Sequence, residues 1–216
     1  ARYMGITNLA RVLRWMPNLT VVNAQGNAMS TVNLQNQMMD GKAIYPMKNV
    51  KNLDLSYNKS LTTLTLQTLD SLTLVATSLS ATAFKNATEK TSKRLYINSP
   101  VIPTQGTQYK LTTVDKPLKT LIYVNTSKDL MVSSCNLDTL QVQDAPVTLM
   151  GNYTTNIKIK KLKVNNNTTI SFQTADMLLM WLCGWQKQNP QFTVTCKMSG
   201  MTDSDATNAA RTTTYL

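Results

Sequence analysis

The 216-residue sequence contains no histidine, the side chain that most often acts as a general base or metal ligand near neutral pH. Histidine-dependent catalytic triads and histidine-ligated zinc sites are therefore excluded. The three cysteines are far apart and form no CxxC pair, which argues against a metal knuckle or a dense disulfide framework. Two interpretations remain for Cys183 and Cys196: a disulfide in an oxidising compartment or, like Cys135, small buried apolar side chains.

Charged residues are also scarce, at 15% of the sequence, and they are unbalanced, with 22 Lys and Arg against 11 Asp and Glu. The resulting formal charge of +11 would steer acidic glycans, lipid headgroups or nucleic acid toward the protein. The same charge also serves solubility, so it predicts an acidic partner without locating a site. The neutral polar composition favours an extracellular, β-rich protein over a cytosolic enzyme.

Long apolar runs are missing as well. No window approaches the roughly 18 consecutive apolar residues of a membrane span, so the chain is not expected to be transmembrane. The first residues, ARYMGITNLA, lack the apolar run of a signal peptide. Because the sequence starts without Met, the simplest interpretation is a mature chain or a segment of a longer protein.

Motifs of catalysis and nucleotide binding are absent too: the sequence has no GxxxxGK[ST], GxGxxG, GxSxG or HExxH. Its few carboxylates are scattered rather than paired. We therefore predict that the protein is not an enzyme, with no catalytic residue, no metal site and no cofactor.

The dominant feature that is present is a repeat of aliphatic residues. In VKNLDLSYNKSLTTLTLQTLDSLTL (50–74) they follow LxxLxLxxN and then LxxLxL, and the spacing recurs in 19–34 and in DLMVSSCNLDTLQV (129–142). Each apolar-x-apolar pair predicts a short strand, because alternation with period two puts both aliphatics on one face. Pairs recur too closely to leave room for helices, so the pattern predicts a mainly β solenoid with turns of roughly twenty residues.

A polar or small residue follows the apolar pairs, where the chain must bend. Its side chain is expected to lie inside the bend and to bond backbone groups that the turn leaves unsatisfied. The residues assigned to this position are Asn27, Asn58, Asn152 and Asn167, with Cys135 and Thr77 as variants.

The alternation NLDLSYNKSLTTLTL and the Cys variant LMVSSCNLDTLQV resemble the short leucine-rich repeats of internalin J and of many Bacteroidetes surface proteins. The resemblance covers roughly residues 16–172. It implies a leucine-rich-repeat solenoid of short parallel strands, secreted or displayed as a lipoprotein at the outer membrane. Such proteins bind other molecules, often as one module of a larger complex.

The chain divides into four parts on this interpretation. Residues 1–18 form a helical cap or a preceding repeat, residues 19–172 form the solenoid, residues 173–198 form a helix and strand cap, and 199–216 form a tail. Two irregular segments, 35–48 and 80–117, carry Gly, Pro and Thr and are predicted to project as loops.

Helical caps are predicted at both ends of the solenoid. At the N-terminal end, Leu9, Val12, Leu13 and Met16 have helical spacing after a candidate cap at Asn8. At the C-terminal end, TADMLLMWLCGWQKQNPQ predicts an apolar helix beginning after Thr174. Because this helix is more apolar than a cap requires, docking on a partner or on a membrane surface is an alternative.

Two groups of residues are candidate binding sites. Polar and aromatic residues that face outward from the strands are expected to contact a protein or glycan, whereas Tyr123 is expected to point inward; the candidates are Asn23, Gln25, Asp54, Ser56, Tyr96, Gln141 and Gln143. The second group is a basic cluster in NIKIKKLKV, with Lys158 and Lys163 on the outer face and Lys160 and Lys161 at a bend. This cluster either binds a polyanion or simply faces water.

The sequence therefore predicts a non-enzymatic, extracellular binding module that recognises another protein or a glycan at the cell surface. No sequence-specific nucleic-acid binding is expected, because the basic cluster lacks interleaved aromatic residues. The alternative is a structural or accessory subunit of a larger assembly, such as an outer-membrane nutrient-uptake complex or a viral particle.

Overall fold

The computed structural model describes residues 2–46, 49–98, 108–113, 118–150, 157–165 and 169–172, with isolated helical positions at 184 and 187. These ranges contain the helices α1 (Leu9–Leu13) and α2 (Ala81–Lys90). Their strands are β1 (Val21–Asn23), β2 (Thr31–Asn33), β3 (Gln37–Met39), β4 (Lys42–Ile44), β5 (Asn52–Asp54), β6 (Thr63–Thr65), β7 (Leu69–Val75), β8 (Thr91–Asn98), β9 (Tyr109–Thr113), β10 (Thr120–Val124), β11 (Leu130–Gln143), β12 (Pro146–Leu149), β13 (Ile157–Asn165) and β14 (Thr169–Phe172).

Most of these strands pair in parallel, and together they form a β-solenoid, which confirms the mainly β fold class. One long ladder contains β1, β5, β7, β8, β10, the C-terminal half of β11 and β13, in that order. We call this ladder the first face. The strands that alternate with it along the chain lie on what we call the second face.

The second face is interrupted by a helix. The strands β2 and β6 pair at its N-terminal end, and β9, the N-terminal half of β11, β12 and β14 pair further along. Helix α2 contacts both β6 and β9 and so lies between the two groups. The strand β11 is 14 residues long because it continues from the second face to the first without a break.

The core is built from aliphatic residues in register across the first face. Leu53, Leu72, Leu95, Leu121 and Leu140 are paired neighbours and are all buried. Burying each such side chain contributes about 1.5–3 kcal/mol. The apolar positions of 50–74 predicted from the repeat are buried without exception, and Tyr123 points inward as predicted.

The bends that follow β1, β5, β7, β10 and β11 each contain a residue with left-handed backbone conformation. The five described examples have φ between 48° and 63°: Gly26, Tyr57, Ala76, Asn125 and Asp144. The residue that follows each of them is buried: Asn27, Asn58, Thr77, Thr126 and Ala145. Gly26 is favoured for two reasons: glycine adopts positive φ without strain, and a Cβ at this position would lie 2.1 Å from the Tyr3 ring.

The buried asparagines of these bends bond backbone groups, as predicted. The Asn58 amide donates to the carbonyls of Leu55 (2.8 Å) and, in the preceding coil, Ala24 (3.1 Å). Asn27 accepts the N–H groups of Met4 and Ile6, both at 3.0 Å, so the N-terminal segment takes the place of a preceding coil. Asn152 and Asn167 lie outside the described residues.

Cys135 is buried, and its thiol donates to the Lys158 carbonyl in the next coil at 4.0 Å, so the predicted backbone bond is present, but at a different corner from that of Asn27 and Asn58. Cys135 lies inside β11, paired in register with Thr113 and Ile157, at the corner where the chain passes from the second face to the first. Asn58 lies at the opposite corner, where the chain leaves the first face. The sequence window matched the repeat in spacing but was assigned the wrong phase.

Helix α1 begins as predicted, with the Asn8 side chain accepting the Arg11 N–H at 3.2 Å. It ends earlier than the pattern indicated, and Met16 is exposed. Pro17 accounts for the early end, because proline disfavours helical backbone in the residue before it.

The irregular segment 35–48 contains an antiparallel hairpin of β3 and β4, paired only with each other among the described strands. Its turn residues Asp40 and Gly41 both have positive φ, as a tight two-residue hairpin requires. The Arg14 guanidinium binds the Asp40 carboxylate, and this hydrogen bond lowers the Asp40 pKa. The hairpin tip is thereby tethered to the residue that ends α1.

The prediction of a projecting loop over 80–117 is wrong for the residues that the structure describes. Ser80 caps α2 by accepting the Ala83 N–H, and β8 and β9 follow within the coil. Phe84 of α2 stacks on Tyr109 with ring centroids 4.4 Å apart, and both rings are buried. Aromatic packing thus joins the helix to a neighbouring strand, replacing the backbone pairing that a strand would provide.

The predicted C-terminal cap (173–198) and the tail (199–216) lie outside the described residues, apart from Gly184 and Lys187, which have helical backbone. The alternatives for Cys183 and Cys196 therefore stay predictions. Within the described part of the chain, neither helix has the length and apolar character that a membrane span needs.

Candidate functional site

The outward side chains of the first face form rows that run across the strands. The register aligns Asn23 with Asp54, then Thr73, Tyr96, Ile122, Gln141 and Lys163. Consecutive members are separated by one strand spacing, about 4.8 Å. We call this line of side chains the central row. Four of the seven predicted ligand-binding residues, Asn23, Asp54, Tyr96 and Gln141, lie in it.

Two more predicted residues lie next to the central row. Gln143 is two positions beyond Gln141 and is paired with Val124 and Asn165. Gln25 follows β1, and its side-chain amide donates to Asp54. The structure therefore brings six of the seven candidates to one surface.

Ser56 does not belong to this surface, and its prediction as a ligand contact is wrong. It is 1% exposed, and its hydroxyl accepts the Val75 N–H at 3.1 Å. Gln25 and Gln143 occupy the equivalent position in their coils and are only half-buried, so the burial of Ser56 follows from its short side chain, which bonds the neighbouring strand.

Some residues of the central row also hold the strand ends in place. The Asn23 side chain accepts the Gln25 N–H at 3.3 Å, and the Asp54 side chain accepts the Ser56 N–H at 2.9 Å. These are turns made by a side chain bonding its own backbone two residues on. The side chains of Asn23 and Asp54 therefore also stabilise the turns that follow their strands.

Tyr96 is held in a defined position. The Arg94 guanidinium lies 5.3 Å from the ring centroid, and the Asn98 amide donates to the tyrosine hydroxyl at 3.1 Å. Because its partners lie on the same strand, the ring is oriented along β8. The Tyr96 hydroxyl accepts this hydrogen bond and can still donate one to a ligand.

The four lysines of the basic cluster are exposed, but they lie on different parts of the coil. Lys163 is paired with Gln141 on the first face, as predicted for an outer-face position, whereas Lys158 is paired with Asn136 before the corner. Lys161 was predicted at the bend and instead lies in the ladder beside Thr139. Their inward neighbours Ile157 and Ile159 are buried, as predicted.

Lys160 lies at the bend and is paired with an acid. Its ammonium is 2.8 Å from the Asp138 carboxylate, and this hydrogen bond lowers the Asp138 pKa. A second pair of this kind joins Lys93 to Asp70, also at 2.8 Å. Charges of both signs therefore alternate at the bends that enter the first face, which removes Lys160 from the set of freely available cations.

Two observations on the described residues concern metal binding and thiol reactivity. No group of three or more His, Cys, Asp or Glu side chains there is placed to hold a metal ion. Cys135 is fully buried, and burial raises the pKa of its thiol to about 12. A thiol in that state is a poor nucleophile at neutral pH.

The sequence analysis missed Arg94, Thr120 and Thr139, which form a second row beside the central one and align with Lys161. The signal was available, because each lies two positions before a residue of the central row and so has the same outward parity.

No protein-family model, curated protein or solved structure matches this chain.

Proposed function

We propose that this protein is a non-enzymatic binding module, displayed outside the cell and attached at its surface, whose first face binds another protein or a glycan. The observation that carries the proposal is the central row. It gives one surface on which each strand contributes one outward side chain, and most of these side chains are polar or aromatic. An extended ligand lying across the strands would contact several coils at once.

We further infer that the solenoid is of the leucine-rich-repeat class, with α1 as its N-terminal cap. Support comes from the leucines in register across the first face and from Asn27 and Asn58 buried inside the bends. Helix α1 buries Leu9, Ala10 and Leu13 and lies against β2. These features agree with the resemblance in the sequence between residues 16 and 172.

A second candidate function, a structural or accessory subunit of a larger assembly, is favoured by a separate observation. The large apolar side chains exposed among the described residues fall within the N-terminal coils: Tyr3, Met4, Trp15, Met16, Val21, Met38, Tyr45 and Tyr57. Exposed apolar surface of this kind is typical of contacts with other proteins.

Affinity capture from native membranes with the tagged chain tests the proposal. T73E adds a carboxylate to the central row, whereas T82E adds the same group to exposed surface on α2. We expect T73E to lose the partner that the unmodified chain captures, while T82E retains it.

The same capture separates the two candidates. If W15S loses the partner and T73E keeps it, the apolar N-terminal coils are the binding surface and the first-face proposal is wrong. Recovery of a monodisperse monomer with no partner would count against the assembly role.

A further inference from the structure

We propose that the part of the first face where β8, β10, β11 and β13 lie side by side binds an acidic polysaccharide that carries carboxylate or sulfate groups. This inference rests on the proposed function of the first face and names its ligand class. We call this surface the basic patch. One of its rows is Arg94, Thr120, Thr139 and Lys161, and the other is Tyr96, Ile122, Gln141 and Lys163.

The patch places cations at both ends. Arg94 is on β8, whereas Lys161 and Lys163 are on β13, three strand spacings or about 14 Å away. All three side chains are exposed. A ligand with one acidic group would reach a single end, so this layout favours a chain with repeated acidic groups.

These cations are available to a ligand. Arg94, Lys161 and Lys163 form no ion pair with any residue that the structure describes, and neither row contains an acid over these four strands. Lys93 directly precedes Arg94 in the sequence, and Lys160 directly precedes Lys161. In contrast to the three cations of the patch, these two lysines are neutralised, by Asp70 and Asp138. The two rows therefore carry three cations and no acid over these four strands, in a chain whose formal charge is +11.

The middle of the patch fits a sugar ring. Tyr96 and Ile122 are adjacent and half-buried, which offers apolar surface to the C–H groups of a pyranose. Thr120, Thr139 and Gln141 are half-buried beside them and can donate to or accept from its hydroxyls. Single-stranded nucleic acid fits less well, because successive bases need successive aromatic rings and these rows contain one.

Binding of defined oligosaccharides to the full chain tests the inference. The probes are an oligogalacturonate, with carboxylates alone, and a heparin hexasaccharide, which adds sulfates; neutral maltohexaose and a single-stranded oligothymidylate serve as comparisons. We expect one or both acidic sugars to bind, with a salt dependence that maltohexaose lacks, and the two acidic probes distinguish carboxylate from sulfate recognition.

Variants then locate the site. The double variant K161Q/K163Q should weaken acidic-sugar binding several-fold and lower the magnitude of its salt slope by up to about two, since fewer counterions are released. R94Q should weaken it as well. The matched control K85Q/K110Q removes the same charge from exposed positions on α2 and β9 and should leave the slope nearly unchanged.

Three results would overturn the inference. Equal losses in K161Q/K163Q and K85Q/K110Q would show that binding follows net charge rather than the patch. Failure of both acidic sugars would exclude the ligand class, and so would tighter binding of the oligothymidylate. None of these results removes the binding role of the first face, which the T73E capture experiment tests separately.

Discussion

At the residue scale, the buried asparagine of the bend matters most, because it bonds backbone groups of its own coil and of the preceding one. The Asn58 amide donates to Ala24 and Leu55, and its oxygen accepts the Met29 N–H at 3.4 Å. Asn58 is fully buried, so water cannot replace these bonds.

We predict that N58A lowers the free energy of unfolding by about 3 kcal/mol, since several buried polar groups lose their partner together. Urea denaturation measures the change. N52A is the control: Asn52 lies at an exposed position on β5, so its loss should change stability by about 0.5 kcal/mol or less. Equal effects of the two substitutions would contradict the structural role of Asn58.

The ion pair of Asp138 and Lys160 gives a prediction about pH. Because its hydrogen bond with Lys160 lowers the Asp138 pKa below the ordinary 3.8, the folded state holds the ionised carboxylate more strongly than the unfolded chain does. The resulting stabilisation is present above about pH 4 and is lost as pH falls through the lowered pKa. The pair is exposed, so its contribution is at most about 1 kcal/mol.

We expect D138N to be slightly less stable than the unmodified protein between pH 7 and about pH 5, with the difference shrinking as the pH falls below the ordinary Asp pKa of 3.8 and through the lowered pKa of Asp138. Urea denaturation across this range measures it, and K160Q should abolish the same pH dependence. A difference between D138N and the unmodified protein that grows in acid would have the wrong sign.

At the element scale, the helix α2 is the main departure from a regular solenoid. It lies where the second face would otherwise contain a strand, and Phe84, Tyr109 and Tyr123 form a buried aromatic cluster beneath it. The Lys128 ammonium lies 4.6 Å from the centroid of the Tyr109 ring and donates to the Leu79 carbonyl at 2.8 Å. Burial lowers the Lys128 pKa.

Truncation of Phe84 tests whether this cluster holds the helix in the solenoid. We predict that F84A costs about 3–5 kcal/mol of stability, because it removes a fully buried ring and leaves a cavity. K85A, on the exposed side of α2, should cost about 0.5 kcal/mol or less. A loss below about 1 kcal/mol in F84A, by thermal or urea unfolding, would show that the helix is held by other contacts.

The elements also show how far the sequence could predict the fold. The spacing of Leu53, Leu55, Leu64 and Leu66 was sufficient to identify buried strand positions, because period-two alternation follows directly from strand geometry. The phase of β11 was not predictable from spacing alone. Both corners of a coil leave similar gaps between apolar pairs, so Cys135 was assigned to the wrong corner.

Other errors had signals that were present but weak. Asp40–Gly41 is a characteristic pair for a two-residue hairpin, yet 35–48 was interpreted as a loop. Ser80, directly before ATAFKNATEK, is a good N-cap, yet 80–117 was also interpreted as a loop. In both cases the Gly, Pro and Thr of an irregular segment outweighed the local signal for regular structure.

At the scale of the whole molecule, the parallel register converts a one-dimensional pattern into a surface. Residues far apart in sequence, from Asn23 to Lys163, become neighbours in one row because each coil adds one strand to the first face. The candidate residues were predictable individually from their outward parity. Their convergence required the register between coils, which no single repeat contains.

The central claim is that ligands bind on the first face, and site-specific photo-crosslinking tests it most directly. A photoreactive amino acid replaces Ile122 in the centre of the central row or, as the control, Lys85 on the exposed side of α2. Each protein is irradiated once with native membranes and once with the heparin hexasaccharide. The account predicts a crosslinked product from position 122 and none from position 85, whereas crosslinking confined to position 85 would contradict it.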